Sequence, residues 1–394
     1  MAGASEAVSG RQDHLLLYAT LGLVLLGLTS VFTSSTVMAM AQFQDPYYFV
    51  KRQVFYALLG LALLYIASRI PYQYWKPLVY PILLLSLISL ILVFVPGIGA
   101  KVRGAARWLK LGPLTLQPSE FAKLALVIFL AYSLARKQEK MKYFAIGFLP
   151  HMLVAGIFIL LILKEPDFGT AVTLALITFI MLLVGGTRVT YIFFASLAGL
   201  VLGTLAVLRD PKKFARILSF LDPWKHGQDV GYQLKQSLLA IGSGGLIGVG
   251  PGQSRAKLFY LPDAHTDFIL AIYSEEFGLV GVLLLLALFT LVTIRGLRLS
   301  LRAPDAFGSY LALGLTLIIS LQAAINMGVV TGILPTKGLS LPFLSYGGSN
   351  LLTNLLAVGI LLNISGQVKQ PAAVASRLPT GAPAPAAVSG EPPR

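Results

Sequence analysis

The chain has 394 residues, of which 56% are hydrophobic and only 12% charged, with a formal charge of +15 and no cysteine. A soluble globular domain carries about a quarter charged residues, so this composition excludes an ordinary water-soluble fold and describes an all-α polytopic membrane protein. The missing cysteine excludes disulfides and thiolate metal sites. The basic surplus has to sit in loops, where it suits anionic lipid headgroups or a phosphate-bearing ligand rather than nucleic acid.

A spanning helix needs about 20 apolar residues. Stretches of that kind fall near 14–36, 53–70, 76–95, 119–135, 144–163, 169–187, 189–208, 266–294, 307–331 and 349–366, which predicts about ten transmembrane helices over residues 13–366. The first follows a polar segment, 1–12, and is too long for a signal-peptide core, so it reads as a retained helix. Gly185-Gly186-Thr187-Arg188 predicts a tight hairpin between spans six and seven. A long loop, 209–265, separates spans seven and eight. Residues 367–394, rich in Pro and Ala and without aromatics, read as a disordered tail. An even number of spans puts both termini on one side, taken as the cytoplasm. The Lys and Arg distribution becomes positive-inside only when 101–123 and 209–265 are set aside. The outer charge in those two segments asks for an anionic partner.

The first constellation lies in the former segment. Arg103, Arg107 and Lys110 recur at three- to four-residue spacing beside Trp108. Guanidinium forks match phosphate oxygens, although the same residues also describe an interfacial Arg/Trp belt. Pro118 suits the first turn of a helix, with Gln117 or Thr115 near the cap. Glu120 and Lys123 stand i,i+3 at the mouth of the fourth span, where charges are normally paired or functional. Between spans five and six, Lys164-Glu165-Pro166-Asp167 places two carboxylates and a lysine in a short turn, or simply lets Asp167 cap the next helix.

The long loop carries a glycine-rich run, 241–252, with no G-x-G-x-x-G register behind a strand. It reads as irregular backbone lying against protein at the membrane surface. Arg255 and Lys257 follow, and then His265-Thr266-Asp267. Here Asp267 opens the eighth span, Thr266 is a natural cap, and His265 is placed to orient or protonate a neighbour. Glu275 and Glu276 fall inside the apolar run. Each intramembrane carboxylate costs about 2.5–3.5 kcal/mol on insertion scales, which predicts a polar cavity open to the outside. Pro335–Gly338 and Leu341–Asn350, including Ser345, form a small-residue loop entering the tenth span, suited to close packing or to a re-entrant turn.

RGAARWL, QPSEFAKL, EPDFGTA, YQLKQSLLAIGSGG, KLFYLPDAHTDFILA and LPTKGLSLPFLSYGGSN together make residues 13–366 resemble the SEDS family (shape, elongation, division and sporulation), its division branch more than its elongation branch. The resemblance implies a peptidoglycan glycosyltransferase that polymerises lipid II into β-1,4 glycan strands at the outer face of the cytoplasmic membrane during septal wall synthesis. The growing strand on undecaprenyl pyrophosphate would be the donor, and the 4-hydroxyl of lipid II the acceptor. The family's essential aspartate maps to Asp267. Turning an α-linked pyrophosphate into a β-glycoside inverts the anomeric centre, which makes Asp267 the candidate general base.

Substrate-binding candidates are Arg103, Arg107, Trp108, Glu120, Lys123, Arg255, Lys257, His265, Thr266 and Ser345, with Glu120 and Lys123 also placed to set the ionisation of Asp267. The resemblance leaves open a divalent cation, Mg or Mn, with the pyrophosphate. As partners it implies a class B penicillin-binding protein, other division proteins and membrane lipids. Two rival readings stay open. A lipid II flippase is expected to show inverted repeats, which the sequence does not display. A non-enzymatic division scaffold leaves the buried carboxylates without a role.

Overall fold

The computed structural model describes residues 12–102, 105–111, 114–225, 231–258, 260–262, 264–336 and 338–368. Arg103 and all but a few residues of the two expected terminal segments lie outside that set. Every predicted span forms a helix: α1 (His14–Phe43), α2 (Tyr48–Arg69), α3 (Trp75–Leu92), α4 (Pro118–Lys137), α5 (Leu149–Lys164), α6 (Phe168–Val184), α7 (Val189–Leu208), α10 (Ile269–Arg302), α11 (Ala306–Val330) and α12 (Gly348–Gln367). Eight of these are long and apolar enough to cross a membrane, while α6 and α7 are shorter apolar helices. The long loop adds α8 (Pro211–Leu221) and α9 (Tyr232–Gly244).

Helices α4, α11 and α12 form the centre and are buried along most of their length, whereas no described side chain of α7 is buried. The central helices carry Glu120, Lys123, Gln322, Asn326, Asn350 and Asn354 within their apolar runs. Lipid offers such groups no partner, so they turn inward and bond one another. Between α6 and α7, Gly186 takes φ +88° and the Thr187 amide bonds back to the Leu182 carbonyl at 3.0 Å, closing the expected hairpin.

One end of the bundle is fastened by Asp13. Its Oδ1 caps α1 at the Leu16 amide (3.1 Å), its Oδ2 accepts from Arg295 Nε (2.6 Å), and its own amide donates to Ser365 Oγ (3.0 Å). The helical body therefore begins and ends at one face. At the same face Asp305 accepts from Lys76 (2.8 Å) and Tyr72 (2.7 Å).

The opposite end departs from the sequence expectation in two places. Residues 99–116 form an antiparallel sheet, β1 (Gly99–Val102), β2 (Ala105–Leu111) and β3 (Leu114–Leu116), in the order β1-β2-β3. Alternate residues of a strand face opposite sides, so Arg107 and Lys110 do not share a face as a helical spacing would have them do.

The second departure is in α10. It starts at Ile269, three residues later than expected, and breaks at Gly278, where φ is +63° and ψ is −165°. The polar groups freed by the break are taken up by the glycine-rich loop. Val249 and Gly250 amides donate to Glu275 and Glu276 carbonyls (3.0 and 3.1 Å), and Leu279 and Val280 amides donate to Gly245 and Leu246 carbonyls (3.0 and 3.1 Å). A Cβ on Gly248 would lie 2.2 Å from the Glu276 carbonyl oxygen, so only glycine permits this contact.

Candidate active site at the sheet-bearing end of the bundle

Asp267 belongs to a turn ahead of α10, not to the helix itself, and Thr266 is not its cap: the position before Ile269 is Phe268, which makes no side-chain cap. The turn is held by its carbonyls. His265 O accepts from the Tyr346 amide (2.9 Å), Thr266 O from Ser345 Oγ (2.6 Å), and Asp267 O from Asn326 Nδ2 (2.9 Å). Three successive main-chain groups are thus fixed by the loop before α12 and by α11, and these bonds set where the Asp267 side chain starts. It is aimed at Gly338: a Cβ there would lie 3.0 Å from Asp267 Oδ2 and 4.0 Å from Arg107 Nη1. Asp267 and Arg107 are both partly exposed, so water reaches the space they border.

Arg107 arrives from β2. Its Nε donates to the Glu165 carbonyl (3.0 Å) and its Nη2 to the Pro166 carbonyl (2.6 Å), leaving Nη1 toward Gly338. β3 is hung on Tyr56, whose hydroxyl accepts from the Thr115 amide (3.4 Å), and Gln117 N donates to Ser349 Oγ (2.8 Å), which ties the start of α4 to α12. The turn that receives Arg107 is itself rigid. Asp167 caps α6 through the Thr170 amide (3.1 Å) and also accepts from Thr170 Oγ1 (2.9 Å) and Gln117 Nε2 (3.3 Å). Beside it Glu165 is fully buried. Burial, seconded by the charge of Asp167 and opposed by Arg107, pushes its carboxyl up to about 8.

Beneath this surface lies a buried polar chain. Lys123 has no exposed surface, and its ammonium bonds Gln322 Oε1 (2.5 Å) and Glu120 Oε2 (2.9 Å). Glu120 Oε2 also accepts from Asn350 Nδ2 (3.0 Å). Gln322 Nε2 then donates to Ser340 O (2.9 Å), and Asn326 Nδ2 to Leu339 O (2.6 Å). The ion pair therefore reaches the 338–341 loop through Gln322 alone, while Asn326 joins that loop to the Asp267 main chain; Lys123 and Glu120 are buried and do not open into the space beside Asp267 and Arg107. Gln322 and Asn326 escaped the sequence reading, although two amides i,i+4 in an apolar span are a readable sign of an inward polar face.

The other sequence candidates divide. Ser345 spends its hydroxyl on Thr266 O and on the Leu341 amide (2.8 Å). His265 is buried between Phe49 and Tyr346, with ring centroids 4.7 and 5.8 Å away. Trp108 is half-buried on β2, paired with Ala100. Lys257 bonds Glu276 (3.4 Å) and the Gly252 carbonyl, while the Arg255 side chain is exposed. Glu275 and Glu276 do not line an open cavity. Glu275 is filled by Ser254 Oγ and by the amides of Arg255 (3.0 Å) and Ala256 (3.3 Å), so both carboxylates bind the loop. Among the described residues no cluster of three or more His, Asp or Glu could hold a metal ion.

This is a multi-pass membrane protein with a wet, cation-bearing end built around one carboxylate. It belongs to the FtsW/RodA/SpoVE family: that family's model, described as "Cell cycle protein", matches residues 13–370. The chain is 46% identical over 359 residues to "Probable peptidoglycan glycosyltransferase FtsW" of Geobacter sulfurreducens, covering 91% of this chain and 96% of that one. It is 42% identical over 353 residues to "Stage V sporulation protein E" of Bacillus subtilis, covering 90% and 96%. Among solved structures it is similar to a chain described under "Structural coordination of polymerization and crosslinking by a peptidoglycan synthase complex", with a TM-score of 0.75 and 29% identity over 91% of this chain and 99% of that one. Thermus thermophilus rod shape determining protein RodA follows at 0.68 and 27%, covering 91% and 98%.

Proposed function

We propose that the chain is a peptidoglycan glycosyltransferase that polymerises lipid II, with Asp267 as the general base and Arg107 as the cation facing the departing pyrophosphate. The observation that carries this reading is that Asp267 Oδ2 and Arg107 Nη1 both come within 4.0 Å of where a Cβ on Gly338 would stand. An inverting displacement needs a proton acceptor for the incoming hydroxyl and charge stabilisation for the leaving group. The acceptor O–H gives its proton to Asp267 as the new O–C1 bond forms. The bond from C1 to the phosphate oxygen breaks, and its electron pair leaves with the pyrophosphate. Lys123 and Glu120 act from below by fixing the 338–341 loop. Arg255 and Thr266 add to the surface offered to the lipid-linked phosphates.

The site end faces outward in this reading and the face that holds Asp13, Arg295 and Arg302 is cytoplasmic, an orientation that the Lys and Arg distribution supports once 101–123 and 209–265 are set aside. The family resemblance and the crosslinking complex support a septal location and a class B transpeptidase partner alongside other division proteins. Because the chain lacks cysteine, single cysteines placed in the Arg136–Lys142 loop and beside Arg255 would report sidedness without background.

The test is purified protein in nanodiscs with lipid II, with and without the transpeptidase, in EDTA and in Mg²⁺. Long glycan strands are expected, and Asp267→Asn should lose about 10²-fold or more in rate while keeping its melting point. Full activity in that variant removes the base role. Lipid II translocation without any glycan product overturns the enzyme in favour of a flippase.

A further inference from the structure

Glu165 ends α5 with no exposed surface, yet neither of its carboxylate oxygens has a hydrogen-bond partner among the described residues. An ionised carboxylate is among the costliest groups to leave in that condition. Its surroundings make charge less welcome still. Asp167, from the same turn, adds a negative charge, and Lys164 next to it stands over the Phe94 ring at 5.1 Å. Among the described residues the one cation acting on it comes from β2, and Arg107 bypasses the carboxyl. The guanidinium bonds the main-chain carbonyls of Glu165 and Pro166 and keeps Nη1 for the space shared with Asp267.

We propose that Glu165 is a positioning residue for Arg107: as an uncharged carboxylic acid it leaves the guanidinium on the two main-chain carbonyls, facing Asp267 and the substrate phosphate, and as a carboxylate it draws the guanidinium into the turn and away from both. The transfer reaction is thereby limited on the alkaline side by a group that touches neither substrate nor base. The inference rests on the glycosyltransferase reading, and Arg107 transmits it.

The decisive quantity is the ratio of kcat/KM at pH 7 to that at pH 9, measured on the preparation that polymerises lipid II. Loss of a required proton near pH 8 lowers the wild-type rate about tenfold over that interval. Glu165→Gln, which holds the uncharged form, should lose less than about threefold, and Glu165→Asp, which still titrates, should keep an alkaline limb. If Glu165→Gln fails to assemble, Glu165→Met replaces it and the same ratio decides. An alkaline limb of wild-type size in either uncharged variant overturns the proposal. A second readout needs no turnover: infrared difference spectra should show a protonated, buried carboxyl at pH 7 that vanishes in Glu165→Gln. Absence of that band in the wild type sinks the inference, whereas absence of glycan from the wild type at every pH sinks the enzymatic reading instead.

Discussion

Gly338 presents its bare Cα to Asp267, with Oδ2 3.0 Å and Arg107 Nη1 4.0 Å from where a methyl group would stand. Gly338→Ala therefore adds a carbon against both the proposed base and the proposed cation, with no helix atom within 4 Å of it. Small displacements of reacting groups are expensive in rate, and a loss of about 10- to 100-fold in kcat/KM is expected with the melting point preserved. Wild-type turnover in this variant would show that nothing reacts in that space.

Lys123 and Glu120 supply a second prediction. Both are buried and bond each other at 2.9 Å. Lys123→Met strands the Glu120 carboxylate, and removing one member of such a pair costs about 3–5 kcal/mol. The double variant Lys123→Met, Glu120→Gln removes both charges and should recover much of that loss. Thermal unfolding in detergent compares the two. Equal melting points would mean that the ion pair is not coupled.

The contact between the glycine-rich loop and α10 predicts a steric effect on stability. Gly248→Ala forces a Cβ to within 2.2 Å of the Glu276 carbonyl oxygen. Overpacking of that kind costs about 1–3 kcal/mol, read as a lower melting point. Gly242→Ala in α9 is the matched control, because nothing lies within 4 Å of its Cβ; it should be neutral or slightly stabilising.

Asp305 predicts an acid dependence at the other face. Burial raises its carboxyl, but the bonds from Lys76, Tyr72 and the Gly308 amide more than reverse this and hold it below the usual carboxylate range. A lowered pKa contributes stability that is present above the unfolded value of about 3.9 and lost as pH falls through the folded value. The wild-type melting point should drop on acidification below about pH 4, and Asp305→Asn should be less stable at neutral pH and flatter across the acid range. Parallel acid profiles would remove Asp305 from the balance.

The bundle was readable from sequence because lipid imposes one simple demand, a run of apolar residues long enough to cross. Each stretch from 14–36 to 349–366 became a helix for that reason. Glu120 and Lys123 stood out because a bilayer penalises them unless they pair, and they do pair. The sheet at 99–116 was not readable. Its strands are three to seven residues long, charged, and separated by Gly and Pro, so no period emerges before the pairing exists. The break at Gly278 hid for another reason: one glycine in an apolar run carries no instruction until a loop some 30 residues earlier supplies its missing partners. Glu165 was visible as a residue but not as a buried one, since burial is decided by what β2 lays across it.

The break in α10 is clamped from both sides. Residues 245–258 bond Leu279 and Val280 after it, and Glu275 and Glu276 before it, while Ile269–Tyr273 is packed in the core. The turn that carries Asp267 is thus a keystone: the glycine-rich loop holds the helix behind it, and α11 and the loop before α12 hold its own carbonyls. A carboxylate set on three separately anchored pieces keeps its bearing only while all three keep theirs.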